Sequence, residues 1–266
     1  MNQVIPKPLI VILVMTCFFE HELVASQDFK DQPYMISGNI GVQTTANTRT
    51  DQIAFELFNE FGQLETSQRS SKRLLYDFGV ARHLWKGFGI GASMTFANTS
   101  SDGTVTATVP SPFFYHFPRT VTTVAQELAN TQRAYHLHGH YWWALREDLR
   151  LTIFGGPSFF NGSQTFVSGI TTKENGLTFN QVDIRSIVTE KITSSVKGFN
   201  AGLDLTYFGL KNLRLFGSSD LLNQLGLGFK LQLSRATTSA IKLKGQYQPS
   251  LEYGGTQISG GVRFVF

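Results

Sequence analysis

Three histidines, His136, His138 and His140, recur at every second position between Tyr135 and Tyr141. In an extended chain that spacing points all three imidazoles to one side, with neighbours about 6.6–7 Å apart along the backbone. Two imidazoles on one strand face can share a zinc or copper ion when another strand adds a third ligand. Asp77 and Asp204 stand in segments whose alternation turns them to the same side, so either carboxylate is a candidate third ligand. The simpler reading needs no cofactor. The interior of a small closed sheet has to be filled, and polar fillers hydrogen-bond to one another.

Five charged residues share that inward side: Asp77, Arg150, Asp204, Lys230 and Arg263. A charge removed from water needs a partner, and both signs are present, so an internal salt-bridge network is expected. Side chains nearly fill so narrow an interior, which excludes a wide water channel and leaves only a narrow path. Catalytic signatures are missing: there is no Gly-x-Ser-x-Gly, His-Glu-x-x-His, phosphate-binding loop or dinucleotide fingerprint. His116 with Ser111 is the one nucleophile–base pairing to be imagined, and loop serines are too common to give it weight.

The elements that must hold these residues are strands. Eight segments alternate with period 2, each with one apolar face. They are Tyr34–Thr44, the stretch 74–85, the stretch 88–98, the histidine segment, the stretch 149–160, the stretch 199–207, the stretch 225–234 and the C-terminal stretch. The seventh sets Leu225, Leu227, Phe229, Leu231 and Leu233 against Gly226, Gly228, Lys230, Gln232 and Ser234. A tilted strand of about 9–11 residues crosses the hydrocarbon layer, and every backbone polar group in lipid must be paired. The expected fold is therefore all-β, an eight-stranded antiparallel transmembrane up-and-down β-barrel. Its polar faces turn inward and its apolar faces turn to lipid. Trp85-Lys86-Gly87 and Arg146-Glu147-Asp148 read as short periplasmic turns. The stretches 45–73, 99–134, 161–197 and 237–253 read as long extracellular loops, and the connection 208–224 is unusually long for a turn. Within the second loop, Phe113, Phe114, Tyr115 and Phe117 are expected to fold over the barrel rim or dip into the outer interface. An exposed patch for a partner is the alternative.

Composition agrees with this class. Apolar residues make up 41% of the chain, and no run approaches the roughly 20 residues of a membrane helix. Lys7 followed by the apolar stretch 9–19 and small residues near Ala25 reads as a secretory signal peptide, residues 1–26, ahead of a barrel domain, residues 27–266. Cys17 is the only cysteine, which excludes a disulfide framework in the mature chain. The formal charge of +4 is dispersed, which argues against nucleic acid as a partner.

The ending Gly-Gly-Val-Arg-Phe-Val-Phe places Phe266, Phe264 and Val262 on one strand face. It resembles the C-terminal strand of bacterial outer-membrane β-barrels. That resemblance implies that Phe264 and Phe266 belong to a signal read by the barrel-assembly machinery. Further stretches carry a wider likeness. They include Leu75-Tyr76-Asp77-Phe78-Gly79-Val80-Ala81-Arg82, Gly87-Phe88-Gly89-Ile90-Gly91 and Val109-Pro110-Ser111-Pro112-Phe113-Phe114. Phe117-Pro118-Arg119-Thr120-Val121, Phe154-Gly155-Gly156-Pro157-Ser158-Phe159-Phe160 and Gly198-Phe199-Asn200-Ala201-Gly202 complete it. Together they resemble a family of uncharacterised bacterial outer-membrane β-barrel domains, grouped with small eight-stranded barrels of the outer-membrane protein A and W types. The resemblance implies location and architecture and brings no reaction with it. The expectation is a monomeric, non-enzymatic barrel in the bacterial outer membrane, with outer-membrane lipid as its main partner. Its role would be structural, surface-interactive or porin-like passage of a small ligand. The alternatives are an outer-membrane enzyme acting on lipid or peptide, and a metal or ligand carrier using the histidines.

Overall fold

A computed structural model describes residues 33–44, 48–69, 72–176, 181–208 and 224–266. The proposed signal peptide, Cys17 and most of the 208–224 connection lie outside these residues. Twelve strands account for nearly all of the described chain: β1 (Tyr34–Thr44), β2 (Thr48–Leu57), β3 (Glu60–Arg69), β4 (Arg73–Trp85), β5 (Phe88–Val109) and β6 (Arg119–Arg146) come first. Then follow β7 (Leu149–Asn175), β8 (Gln181–Tyr207), β9 (Leu225–Thr237), β10 (Ile241–Leu243), β11 (Gln246–Gln248) and β12 (Glu252–Val265).

Eight of them form a closed antiparallel ring, β1-β4-β5-β6-β7-β8-β9-β12, with β12 returning to β1. Closure leaves no strand edge to solvate, the condition for burying a sheet in an apolar medium. Reciprocal bonds of 3.0 Å between Tyr34 and Phe266 seal the join, and their rings stack at 5.6 Å. At the same end of the barrel, Lys86 and Gly87 between β4 and β5 both take positive φ, which makes the tight connection that matches strand twist.

The four connections that read as long loops are mostly strand. β5 runs 22 residues, β6 28, β7 27 and β8 27. At about 3.3 Å per residue and a tilt of about 45°, a 28-residue strand climbs about 65 Å, roughly twice a hydrocarbon layer of about 30 Å. The β2–β3 hairpin pairs onto the upper part of β5 and fills the wall there. Beside it, the β10–β11 hairpin reaches β2 through side chains rather than a backbone ladder. Gln246 and Gln248 each accept from and donate to the β2 main chain, at Ala54 and Gln52.

The polarity of the two faces reverses along the height. On β5 the outward residues run Phe88, Ile90, Met94, Phe96 and then Asn98, Ser100, Asp102, Thr104, Thr106, while the inward ones run Ser93, Thr95 and then Val105, Ala107, Val109. β8 changes between outward Phe199 and Lys197, and β9 between outward Leu233 and Arg235. The changes fall at one level, because Arg133 is paired with Phe96, Lys197 with Phe159 and Arg235 with Phe199. Below it lies a band of exposed apolar side chains around a polar lumen. Above it stands a water-compatible tower around an apolar core that includes Leu64, Val105, Leu128, Phe160, Phe166 and Leu243.

Candidate functional site

Each strand of the band delivers its inward residues to one polar layer. Asp77 of β4 is 1% exposed and accepts three bonds: from Lys230 Nζ at 2.9 Å, Asn39 Nδ2 at 2.7 Å and Thr95 Oγ1 at 3.1 Å. Asn39 Oδ1 accepts from Arg263 Nη1 at 2.6 Å, and Arg263 Nε donates to Asp204 Oδ2 at 2.8 Å. Thr206 Oγ1 adds a bond of 3.3 Å to Asp204. Six of the eight ring strands are tied together in this way. Gly228 makes the arrangement possible, since a Cβ there would stand 2.5 Å from the Arg263 guanidinium carbon. Two charges of each sign are thus brought together. Arg150 is not among them: it lies at the lower mouth, with its guanidinium 5.9 Å from the Trp142 ring and 4.8 Å from that of Phe208. The alternation of β7 gave its side correctly, but not its depth, which lies at the strand's first turn of pleat, below the ion pairs.

The histidines join this layer to β6. His136 meets Ser158 Oγ through Nδ1 at 2.7 Å and Thr95 Oγ1 through Nε2 at 3.2 Å. His138 meets Asn200 Oδ1 through Nδ1 at 2.9 Å and Ser93 Oγ through Nε2 at 2.9 Å. The donors follow from the ends of the chain. Thr95 gives its proton to Asp77, so it accepts from His136 Nε2–H; His136 Nδ1 then accepts from Ser158, which accepts from Asn200 Nδ2 at 2.8 Å. Asn200 Oδ1 can only accept, so His138 donates from Nδ1 and takes the Ser93 proton at Nε2. Both rings are neutral, and the lone pair of each is already filled. A shared metal would need those lone pairs aimed at one point. Among the described residues no three His, Cys, Asp or Glu side chains converge on one, so the geometry gives zinc or copper no ready site. His140 packs edge-on against His138 at 5.2 Å, makes no side-chain hydrogen bond among the described residues, and borders a cavity of about 30 Å³ that His138, Asp204 and Lys230 also line.

An apolar cluster lies on each side of the layer. Met35, Ala81, Trp142 and Val265 pack across the bottom, and the tower core covers the top. Serine, histidine and carboxylate do not form a nucleophilic set at the tower tip. Ser111 Oγ accepts from the backbone of Phe114 at 3.2 Å, while His116 lies 3.4 Å from Glu60.

Two features of the tower bear on function; the sequence offered the first only as an alternative and did not show the second. The first is the tip. Phe113, Phe114, Tyr115 and Phe117 neither cover the rim nor reach the lower band; all four are exposed beyond the ends of β5 and β6. The strands continue upward and carry this connection away from the interface where it was expected. Phe58 in the β2–β3 turn and Phe61 at the start of β3 are exposed too, Phe61 at 83%. The two segments are braced by a 2.8 Å bond from the His116 amide to Glu60. An ion pair of Arg119 with Glu174 and a 2.7 Å bond from Arg119 to Pro110 O add the β7–β8 end. The clustered aromatics were a readable signal, but only their height makes them a crown. The second feature is a cavity of about 380 Å³ at the base of the tower, with buried Gln68 and Arg73 at its floor and exposed Thr50 and Glu252 at its mouth.

No protein-family model matches this chain, and no curated protein matches it in sequence, so the resemblance to an uncharacterised barrel family gains no support from that side. Solved structures of similar fold include the outer membrane protease OmpT from Escherichia coli, at 9% identity over 87% of this chain and 97% of that one, with a TM-score of 0.42. Neisserial surface protein A aligns at 9% identity over 88% and 97%, with a TM-score of 0.40. The outer membrane protein OprG from Pseudomonas aeruginosa aligns at 8% identity over 88% and 96%, with a TM-score of 0.39. Likeness at this distance transfers neither residue roles nor activity.

Proposed function

We propose that this chain is an integral barrel of the bacterial outer membrane that acts as a surface-contact protein, presenting an aromatic crown on a rigid tower. The membrane part of the reading rests on the band. Isoleucine, leucine, phenylalanine and valine face outward around the whole ring, over about the 9–11 residues that a tilted strand needs to cross lipid. A soluble barrel has the opposite arrangement, and the tower above shows it within the same strands. The interaction part rests on one observation: six aromatic side chains from two braced segments stand exposed together at the outermost end. Monomeric soluble surfaces rarely gather apolar area of that kind without a partner.

Passage of a small ligand is the weaker role, since apolar plugs cover the polar layer on both sides. Structural reinforcement alone would not call for a crown. The role we assign is non-catalytic, because Asp77, Asp204, Asn39, Asn200, His136 and His138 are engaged with one another or with neighbouring hydroxyls and cations.

The test uses whole cells that display the full chain. Cells carrying Phe61→Ser, Phe113→Ser and Phe117→Ser together should lose self-sedimentation and retention on apolar or host-cell surfaces. Heat-dependent gel migration of the barrel should stay as in wild type, since exposed substitutions change stability by about 0.5 kcal/mol or less. Unchanged retention by a variant displayed at equal density would end the contact role.

A further inference from the structure

We infer that the cavity at the base of the tower is a binding site for an anionic, hydroxyl-rich ligand, a phosphorylated or carboxylated sugar, with Arg73 as its charge anchor. Arg73 is 4% exposed and begins β4 beside Leu74, whose backbone partner on β5 is Asn98, the first polar outward residue above the apolar band. Among the described residues its guanidinium makes one hydrogen bond, from Nη1 to Gln132 Oε1 at 2.9 Å, and the fully buried Nε meets none of them. Among the described residues no carboxylate pairs with it. The lumen a few residues below pairs each of its two buried cations with an aspartate, at 2.9 Å for Lys230 and 2.7 Å for Arg263. An uncompensated buried guanidinium is costly, and a phosphate or carboxylate in the cavity that Arg73 lines would supply the missing charge.

What surrounds Arg73 is also ligand-like. The cavity holds about 380 Å³, the size of a small-molecule site, and opens between the β2–β3 hairpin and the segment before β12. Besides Arg73 its wall includes the amides of Gln68, Asn130 and Gln164 and the hydroxyls of Thr99 and Ser101. Amides and hydroxyls from four strands, beside a smaller apolar side made by Pro249 and Leu251, match the mixed hydroxyl and C–H faces of a sugar ring better than an acyl chain or a flat aromatic. Charge then discriminates: a neutral sugar would leave the guanidinium as it is, and an acidic one would neutralise it.

Two sources can supply this chemistry, a free acidic sugar or the phosphosugar headgroup of an outer-leaflet lipid. The second rests on the membrane reading, which sets Arg73 at headgroup height. Titration calorimetry on the refolded full chain in detergent separates them. The probes are glucose, glucuronate, glucosamine 1-phosphate, and a lipid-anchored glucosamine phosphate in mixed micelles. Heat-dependent gel migration and solubility without detergent are recorded on the same samples, so that failure of the membrane reading is seen separately from failure of binding. Binding of the free acids, or of the lipid-anchored phosphate alone, supports the site and identifies its source. In either case glucose should not bind. Arg73→Gln should weaken binding at least about tenfold, the worth of one charge-assisted bond, and Arg73→Lys less. Thr50→Trp, which leaves the charge in place and narrows the mouth, should weaken it as well. No heat with any acidic probe, or equal affinity in folded wild type and Arg73→Gln, overturns the site. Should Arg73→Gln fail to fold, equal affinity in Thr50→Trp and wild type overturns it.

Discussion

Replacing Asp77 by asparagine tests whether the lumen is dry. The change keeps the size of the side chain and removes its charge. It strands the Lys230 ammonium, which is 8% exposed and otherwise faces the Phe154 ring at 5.0 Å. Thr95 and Asn39, which now donate to a carboxylate, must share an amide that offers one acceptor. Breaking a buried pair from one side costs about 3–5 kcal/mol, because the remaining charge has no water to return to. Lys230→Met is the milder break, since Asp77 keeps two donors. The double variant Asp77→Asn/Lys230→Met removes both charges and should recover at least about 2 kcal/mol over Asp77→Asn alone, as expected when the penalty lies in the orphaned ion. Urea unfolding of barrels refolded into short-chain phosphatidylcholine vesicles, followed by tryptophan emission, measures all four stabilities. Were Asp77→Asn to lose less than about 1 kcal/mol and the double variant to recover nothing, the ions would be hydrated. The dry lumen, and with it the argument against passage, would then be wrong.

Other outcomes follow from the same geometry. Leu231→Arg, at the middle of the lipid-facing stripe of β9, should cost about 2–4 kcal/mol, while Thr106→Arg on the outer face of the tower should be nearly neutral; equal costs in unfolding titrations would refute the reversal of polarity. Leu128→Ala in the tower core should cost about 2–5 kcal/mol and make the tower protease-sensitive while the band stays protected. Planar bilayers containing the full chain should show no conductance steps, and regular single-channel openings would contradict the two apolar plugs.

The band was legible because its signal is simple. In 225–234, in the histidine segment and in the other strands, alternation named both the strand and its inward side. Asp77, Lys230, Asp204 and Arg263 were read from that pattern and meet in the structure. The tower was illegible for a related reason. On β5 the apolar residues sit at even numbers through Phe96 and at odd numbers from Val105. On β8 they sit mostly at even numbers through Val196 and at odd numbers from Phe199. A reader following one face sees the apolar pattern stop and infers a loop, although the strand continues and only its surroundings change. Bulges blur the switch further, as at Val167/Gly169 and Ser101/Gly103. The Arg73 cavity was hidden because it is assembled from seven separated segments, none of which is unusual alone.

One hydrogen-bonded cylinder therefore serves two solvents. The backbone ladder is indifferent to what lies outside it, so the level of the lipid is written entirely in side-chain parity, and Arg133, Lys197 and Arg235 mark its upper edge. From Arg133 to Arg119, β6 rises about 33 Å above that edge, which is about four Debye lengths at physiological salt. Charge on outer-leaflet headgroups is screened over such a distance and cannot steer what meets the tip. A contact surface held there has to work by shape and apolar area, and aromatic side chains supply both. The tower needs its own dry core for the same reason: a support that must hold braced segments still in water, far from lipid, has to be folded in its own right.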